Sequence, residues 1–144
     1  MPTALVAQLL WVAILAVCAL AYFKGGAAER WGAGLILALA LAFLVVNNVM
    51  PPPQRGVPHL ILDGVLAMGF MALTLRYASA WLGLVMVLQG VQFSLHAFYF
   101  VTHKTPGAAY AMVNNLVTWG TLLGVLWGVL AYWRLRRRAA ASAA

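Results

Sequence analysis

Five long apolar runs, separated by short polar links, constrain this chain more than any other feature of its sequence. A helix of ~20 apolar residues crosses the ~30 Å hydrocarbon layer of a membrane, because each residue adds about 1.5 Å. The chain is 65% hydrophobic with a mean hydropathy of +0.94, which excludes a water-soluble domain. We therefore predict an all-α polytopic membrane protein with five transmembrane helices, at residues 4–23, 31–50, 60–75, 81–101 and 108–133.

These helices are predicted to form a single transmembrane domain over residues 1–133, followed by a tail at 134–144 that is basic and then rich in alanine. A secretory signal is the competing interpretation of the first run, since Ala19-Leu20-Ala21 is similar to a cleavage site. No basic side chain precedes that run, whereas a signal peptide begins with a positive segment. We therefore interpret the first run as an uncleaved helix.

The basic residues predict the orientation of the chain in the membrane. Five spans put the two termini on opposite sides. With the carboxyl terminus in the cytoplasm, that side holds seven of the nine lysines and arginines, and the other side holds Arg55 and Lys104. The positive-inside rule therefore predicts an outer amino terminus and a cytoplasmic tail. The basic residues beside the spans act as topology signals and as contacts for anionic lipid heads, which explains the net charge of +7. We therefore predict no nucleic-acid partner.

A polar stripe runs along the fourth predicted helix. Its residues follow one another at steps of three or four and fall within an arc of roughly 80° at about 100° per residue. An unsatisfied polar group in hydrocarbon costs several kcal/mol, so this face must contact protein, water or a ligand. The stripe consists of Gln89, Gln92, His96, Tyr99 and His103.

The outer halves of the predicted spans carry most of their polar side chains. Asn47 closes the second span there, Asn114 lies near the start of the fifth, and Asp63 is the only acid within a predicted span. An ionisable group inside a membrane is a functional candidate. We expect an outward-open polar pocket or a docking surface, with plain interhelical hydrogen bonding as the alternative. The candidate ligand-binding, partner-binding or ion-coupling residues are Asp63, His96, Gln92, Gln89, Tyr99, Asn114 and Asn47.

The sequence carries no pattern of a catalytic or metal site. It has no Gly-x-Ser-x-Gly turn, zinc-ligand spacing or carboxylate pair, so we expect no enzymatic activity. His96 and His103 lie ~10.5 Å apart along one helix, too far apart to share a metal ion. No cofactor is predicted, although a haem or a quinone beside His96 stays open as an alternative.

Glycines recur at every fourth position of the fifth predicted helix, at Gly120, Gly124 and Gly128. Small residues at this spacing let two helix backbones approach closely, so we expect this face to pack against another helix. The packing partner is either a helix of this chain or a neighbouring protein.

The segment Glu29-Arg30-Trp31-Gly32-Ala33, together with Arg76, Trp81, Gln92 and His96, resembles small uncharacterised inner-membrane proteins of alphaproteobacteria. The resemblance implies a bacterial inner membrane and implies no activity. The chain differs from small multidrug transporters, which carry a glutamate in their first span.

Three functional hypotheses follow from these residues. The first is a non-enzymatic protein that binds through its outer polar cluster, as an accessory subunit of a complex or as a protective protein of the bacteriocin-immunity type. The second is an oligomeric small transporter or channel component that couples proton or ion movement to Asp63 and His96. The third is a haem- or quinone-binding subunit of an electron-transfer complex. Membrane lipids, and either a protein partner or further copies of the chain, are the expected partners.

Overall fold

The computed structural model describes residues 2–142 and is 91% helical, with no strand in that range. The predicted all-α class is therefore confirmed. The elements are α1 (Pro2–Lys24), α2 (Ala27–Val49), a short 3-10 turn (Pro52–Gln54), α3 (Gly56–Tyr77), α4 (Ala80–Thr102) and α5 (Ala108–Ser142).

Four of the helices, α2 to α5, are long and apolar enough to cross a membrane, and α1 contributes a shorter apolar stretch at Gln8–Lys24. Large hydrophobic side chains cover the outside of the bundle. Phe23, Val49 and Leu75, for example, are 74%, 74% and 79% exposed. An apolar surface of this extent is unfavourable in water and suited to lipid. The helices therefore belong to a membrane-embedded protein.

Each helix packs against the next in chain order, and α5 returns to pack against α1 and α2, which closes the bundle. Alternating helix directions bring seven basic residues to one end, here called the basic end: Lys24, Arg30, Arg76, Arg134, Arg136, Arg137 and Arg138. The opposite end, here called the far end, holds the 3-10 turn, the start of α3 and the link from α4 to α5.

The third helix begins four residues earlier than predicted, at Gly56 instead of Leu60. Pro58 is tolerated because the first turn of a helix has no intrahelical acceptor for its N–H groups. Arg55 stabilises the tight connection, since its Nε donates to the Met50 carbonyl and its Nη2 to the Asn47 carbonyl, both at 2.8 Å. These bonds satisfy carbonyls that the end of α2 leaves free.

The second helix also begins earlier than predicted, at Ala27 instead of Trp31. The Glu29 carboxylate accepts a hydrogen bond of 2.9 Å from the Gly26 N–H just before the helix, as in a capping box. Glu29, which the prediction left in the link before the second span, therefore lies in the first turn of α2. At the other end of the chain, α5 continues through the basic segment to Ser142.

The apolar core lies between the centre of the bundle and the basic end. Phe70, Leu82, Val85 and Val125 are 0% exposed, and Val129 is 1% exposed. The close approach of α4 to α5 depends on glycine in α5. A Cβ atom on Gly124 would lie 2.6 Å from Cγ2 of Val85, and one on Gly120 would lie 3.0 Å from Leu88. The glycine face of α5 therefore packs within this chain, against α4.

We expect Gly128→Ala to lower the thermal unfolding midpoint in detergent. The new Cβ would lie 2.6 Å from the indole of Trp81, a side chain that is only 4% exposed and has no room to move. Overpacking of this kind costs about 1–3 kcal/mol, which outweighs the gain of up to about 1 kcal/mol from alanine helix propensity.

Gly83→Ala is the matched control, because a Cβ there meets nothing within 4 Å. This variant should unfold at the same temperature as the parent protein or higher. Equal destabilisation by the two substitutions would contradict the packing of α5 glycines against α4.

Candidate functional site

A hydrogen bond between two titratable side chains joins α3 to α4 at the far end of the bundle. Nδ1 of His96 is bonded to Oδ2 of Asp63, and the two side chains are 15% and 1% exposed. A buried carboxyl group is costly unless it is hydrogen-bonded or paired, so this contact fixes the two helices against each other. The Nε2 atom of the same His96 ring is buried and has no hydrogen-bond partner among the described residues.

A cavity of about 220 Å³ lies in the centre of the bundle, lined by side chains from all five helices. Most of its wall is apolar, with Leu10, Ile36 and Phe43 among its residues. Its polar wall groups come from α3, α4 and α5: Asp63, Gln89, Gln92, Thr118 and Thr121. An apolar cavity with a few converging polar groups is the usual form of a small-molecule site.

A second cavity, of about 200 Å³, lies at the far end beside His59, His96, Tyr99, Lys104 and Tyr110. The aromatic rings pack closely here. The Tyr110 ring centroid lies 5.4 Å from that of His96 and 5.0 Å from that of Tyr99. Asp63 lines the central cavity and His96 lines this outer one. The hydrogen-bonded pair therefore separates the two cavities.

The amide side chains of the α4 stripe pair with α5. Nε2 of Gln89 donates to Oγ1 of Thr121 at 2.8 Å, and Nε2 of Gln92 donates to Oδ1 of Asn114 at 3.0 Å. Gln89 is 3% exposed, and its Oε1 atom has no partner among the described residues. Buried polar atoms are normally hydrogen-bonded, so an unpaired oxygen on a residue that lines the cavity is an exception within this bundle.

Asn47 does not line the outer cavity itself and is connected to it through His59. Its Oδ1 lies 3.1 Å from Nε2 of His59, which lines that cavity, while Asn47 itself is exposed. His103 lies outside the cluster, contrary to the predicted stripe. The reason is that α4 ends at Thr102, and His103 takes a left-handed conformation with φ 51° as the exposed residue after the helix.

Glu29 is a buried polar residue that the sequence analysis missed. It is 5% exposed near the basic end, and its Oε1 accepts a hydrogen bond of 3.1 Å from Nε1 of Trp81 in α4. The part of the bundle near the basic end therefore contains a buried acid. The position of Glu29 three residues after Gly26 was the available signal, since this spacing is typical of a capping acid at a helix start.

The chemistry available at the far-end site is hydrogen bonding and proton exchange. Imidazole, carboxyl, amide and phenol groups meet there, and no group of three metal-ligating side chains occurs in the described part of the chain. No protein family, no curated protein and no solved structure matches this chain.

We expect Asp63→Ala to destabilise the protein by about 1–3 kcal/mol, because it leaves the part-buried His96 ring without its hydrogen-bond partner. Asn47→Ala is the matched comparison, since it removes one hydrogen bond from an exposed residue and should cost about 1 kcal/mol or less.

A double-mutant cycle separates the pair from general packing effects. Because the two residues share one interaction, Asp63→Ala combined with His96→Ala should cost less than the sum of the two single substitutions. Unfolding in detergent measures all four proteins. Strict additivity would contradict a direct Asp63–His96 interaction.

Proposed function

We propose that this chain is a small, non-enzymatic membrane protein that binds a small molecule inside its helix bundle. The observation that carries the proposal is the Asp63–His96 pair between two cavities, with unpartnered polar atoms on His96 and Gln89. Buried polar atoms are normally paired. The two free atoms belong to residues that line the cavities, and we propose that they bind a ligand once side-chain adjustment brings them to the cavity surface.

The ligand is proposed to be a mostly apolar molecule with a small polar head. Each cavity, at about 220 and 200 Å³, is smaller than the ~300–1,000 Å³ of typical ligand pockets. A head group therefore fits better than a whole macrocycle, which favours a quinone or lipid head over a haem.

The His96 ring suits such a head group because its hydrogen-bonding role changes with protonation. When Asp63 accepts the Nδ1–H of a neutral ring, Nε2 is an acceptor, and it becomes a donor when the ring is protonated. The ring is therefore able to bond a hydroxyl group in one state and a carbonyl group in the other. Oε1 of Gln89 adds an acceptor in the central cavity.

We propose that this chain acts in the cell as an accessory subunit of a complex or as a protective protein, and that ligand binding is part of that role. The far end offers a protein partner exposed polar groups, including Asn48, Asn115 and Lys104. A partner seated there would cover the mouth of the outer cavity, which Lys104 lines.

The test is purification from the native membrane in mild detergent, followed by absorption spectroscopy and mass spectrometry of bound molecules and proteins. We expect a small molecule in stoichiometric amount that Gln89→Met reduces at least several-fold, because methionine keeps the volume but removes the whole amide, both its free oxygen and the Nε2 that bonds Thr121. Thr74→Val is the control, since Oγ1 of Thr74 bonds only the Phe70 carbonyl in its own helix.

Equal ligand content in the two variants would contradict the central cavity as the binding site. A haem absorption spectrum would identify the bound molecule as a cofactor and would overturn the proposed quinone or lipid ligand. A protein without any bound molecule, purified as a homo-oligomer, would contradict the binding function.

Proton or ion coupling is the second candidate, and it is favoured by the position of the Asp63–His96 pair. Asp63 lines the central cavity and His96 lines the outer one, so a proton bound to the pair lies beside both cavities. A proton flux in reconstituted vesicles that Asp63→Asn abolishes would support this candidate over simple binding.

We further propose that the chain crosses a bacterial inner membrane five times, with the far end outside and the basic end in the cytoplasm. Seven basic residues at one end against Arg55 and Lys104 at the other support this orientation.

The orientation is testable with single cysteines, because Cys18 is the only cysteine and is buried. In a Cys18→Ala background, a membrane-impermeant thiol reagent added to intact cells should label Lys104→Cys and leave Arg138→Cys unlabelled until the membrane is opened. The reverse labelling pattern would overturn the orientation.

A further inference from the structure

A groove between α1 and α2 lies on the outside of the bundle, towards the basic end and separate from the two cavities of the proposed site. Its volume is about 310 Å³. Small residues form part of it, and two of them, Cys18 and Ala33, are buried. The Cys18 thiol donates a hydrogen bond of 3.4 Å to the Ala33 carbonyl. Leu15 and Leu37 add apolar walls. The groove is therefore shaped for a narrow apolar chain.

A positive charge lies at the end of this groove nearest the basic end of the bundle. Arg30 lines the groove, is exposed, and holds its guanidinium carbon 5.8 Å from the ring centroid of Tyr22. The only salt bridge in the described part of the chain is the one between His96 and Asp63, so no described carboxylate neutralises Arg30. Lys24 ends α1 at the same end.

We propose that this groove is a binding site for one anionic phospholipid, with an acyl chain between α1 and α2 and the phosphate at Arg30. A guanidinium binds phosphate through two parallel hydrogen bonds, and a phosphate at the basic end lies where basic residues meet lipid heads. The apolar part and the charged part of the groove thus match the two parts of one lipid molecule.

Charge favours a lipid over a second copy of the chain as the occupant. A symmetric dimer through this face would bring the Arg30 side chains of both copies to the same interface. Like charges within a low-dielectric interface repel each other. An anionic lipid instead neutralises Arg30.

The experiment is native mass spectrometry of the purified full chain titrated with phosphatidylglycerol or with phosphatidylcholine. We expect a defined first phosphatidylglycerol molecule to bind more tightly than phosphatidylcholine. Arg30→Gln should weaken its binding about fivefold, the change that corresponds to about 1 kcal/mol for one basic residue at a membrane surface.

Arg76→Gln is the matched charge control. Arg76 lies at the same end, is exposed, and holds its guanidinium carbon 5.6 Å from the Tyr77 ring centroid, but it does not line the groove. Its substitution should leave the first lipid bound. Equal losses in the two variants would mean that the lipid responds only to overall charge, which would overturn the site.

A second pair of variants tests the groove independently of charge. Gly34 lines the groove, and a Cβ there meets nothing within 4 Å, so Gly34→Leu fills the space without disturbing the backbone. Gly83→Leu is the control, since a Cβ at Gly83 in α4 also meets nothing within 4 Å. Thermal unfolding establishes that both variants are folded.

We expect Gly34→Leu to lose the first phosphatidylglycerol molecule and Gly83→Leu to retain it. If Gly34→Leu instead converts an oligomer into a monomer while lipid binding stays unchanged, the groove binds a second copy and the lipid site is overturned. Neither result depends on the small molecule proposed for the central and outer cavities, because the groove shares no lining residue with them.

Discussion

The structure depends on the lack of water in a lipid bilayer, which obliges polar side chains on the helices to find partners within the bundle. α4 provides most of these partners. His96 bonds to α3, Gln92 and Gln89 bond to α5, and Trp81 bonds to Glu29 in α2. Together these pairs join α4 to three other helices of the bundle. The polar stripe of one helix thereby sets the neighbours of that helix.

The apolar contacts are arranged around the same helix. The glycine face of α5 lets α4 come close enough for Gln89 to reach Thr121, and the indole of Trp81 fills the space beside Gly128. Dispersion forces and hydrogen bonds therefore act on the same pair of helices. This combination matters in lipid, where burial of apolar surface gives no driving force for one helix to join another.

The two ends of the bundle differ in both charge and chemistry. The two cavities and the polar atoms that lack a protein partner lie in the centre and at the far end of the bundle, whereas the basic end contains a paired Glu29, a tightly packed core and exposed arginines. An unpartnered polar atom inside a protein weakens the fold unless something binds to it. The proposed small-molecule binding and the proposed lipid site would give each of these features a role.

The sequence alone determined the membrane class, the helical fold and the identity of the polar cluster. Apolar runs of about 20 residues leave the backbone few ways to satisfy its hydrogen bonds in lipid, and the helix period of 3.6 residues puts Gln89, Gln92 and His96 on one face. Helix starts were less predictable. Pro58 and Glu29 read as loop residues in the sequence, yet both are compatible with a first helical turn, where N–H groups are free.

Only the tertiary structure decided which polar groups meet and which remain free. Nothing in the spacing of residues along the chain pairs His96 with Asp63, or Trp81 with Glu29, because those contacts depend on the relative rotation and depth of separate helices. The same rotations leave Nε2 of His96 and Oε1 of Gln89 without partners in the described structure. Helix periodicity fixes the face on which a residue lies, whereas packing between helices determines what that face contacts.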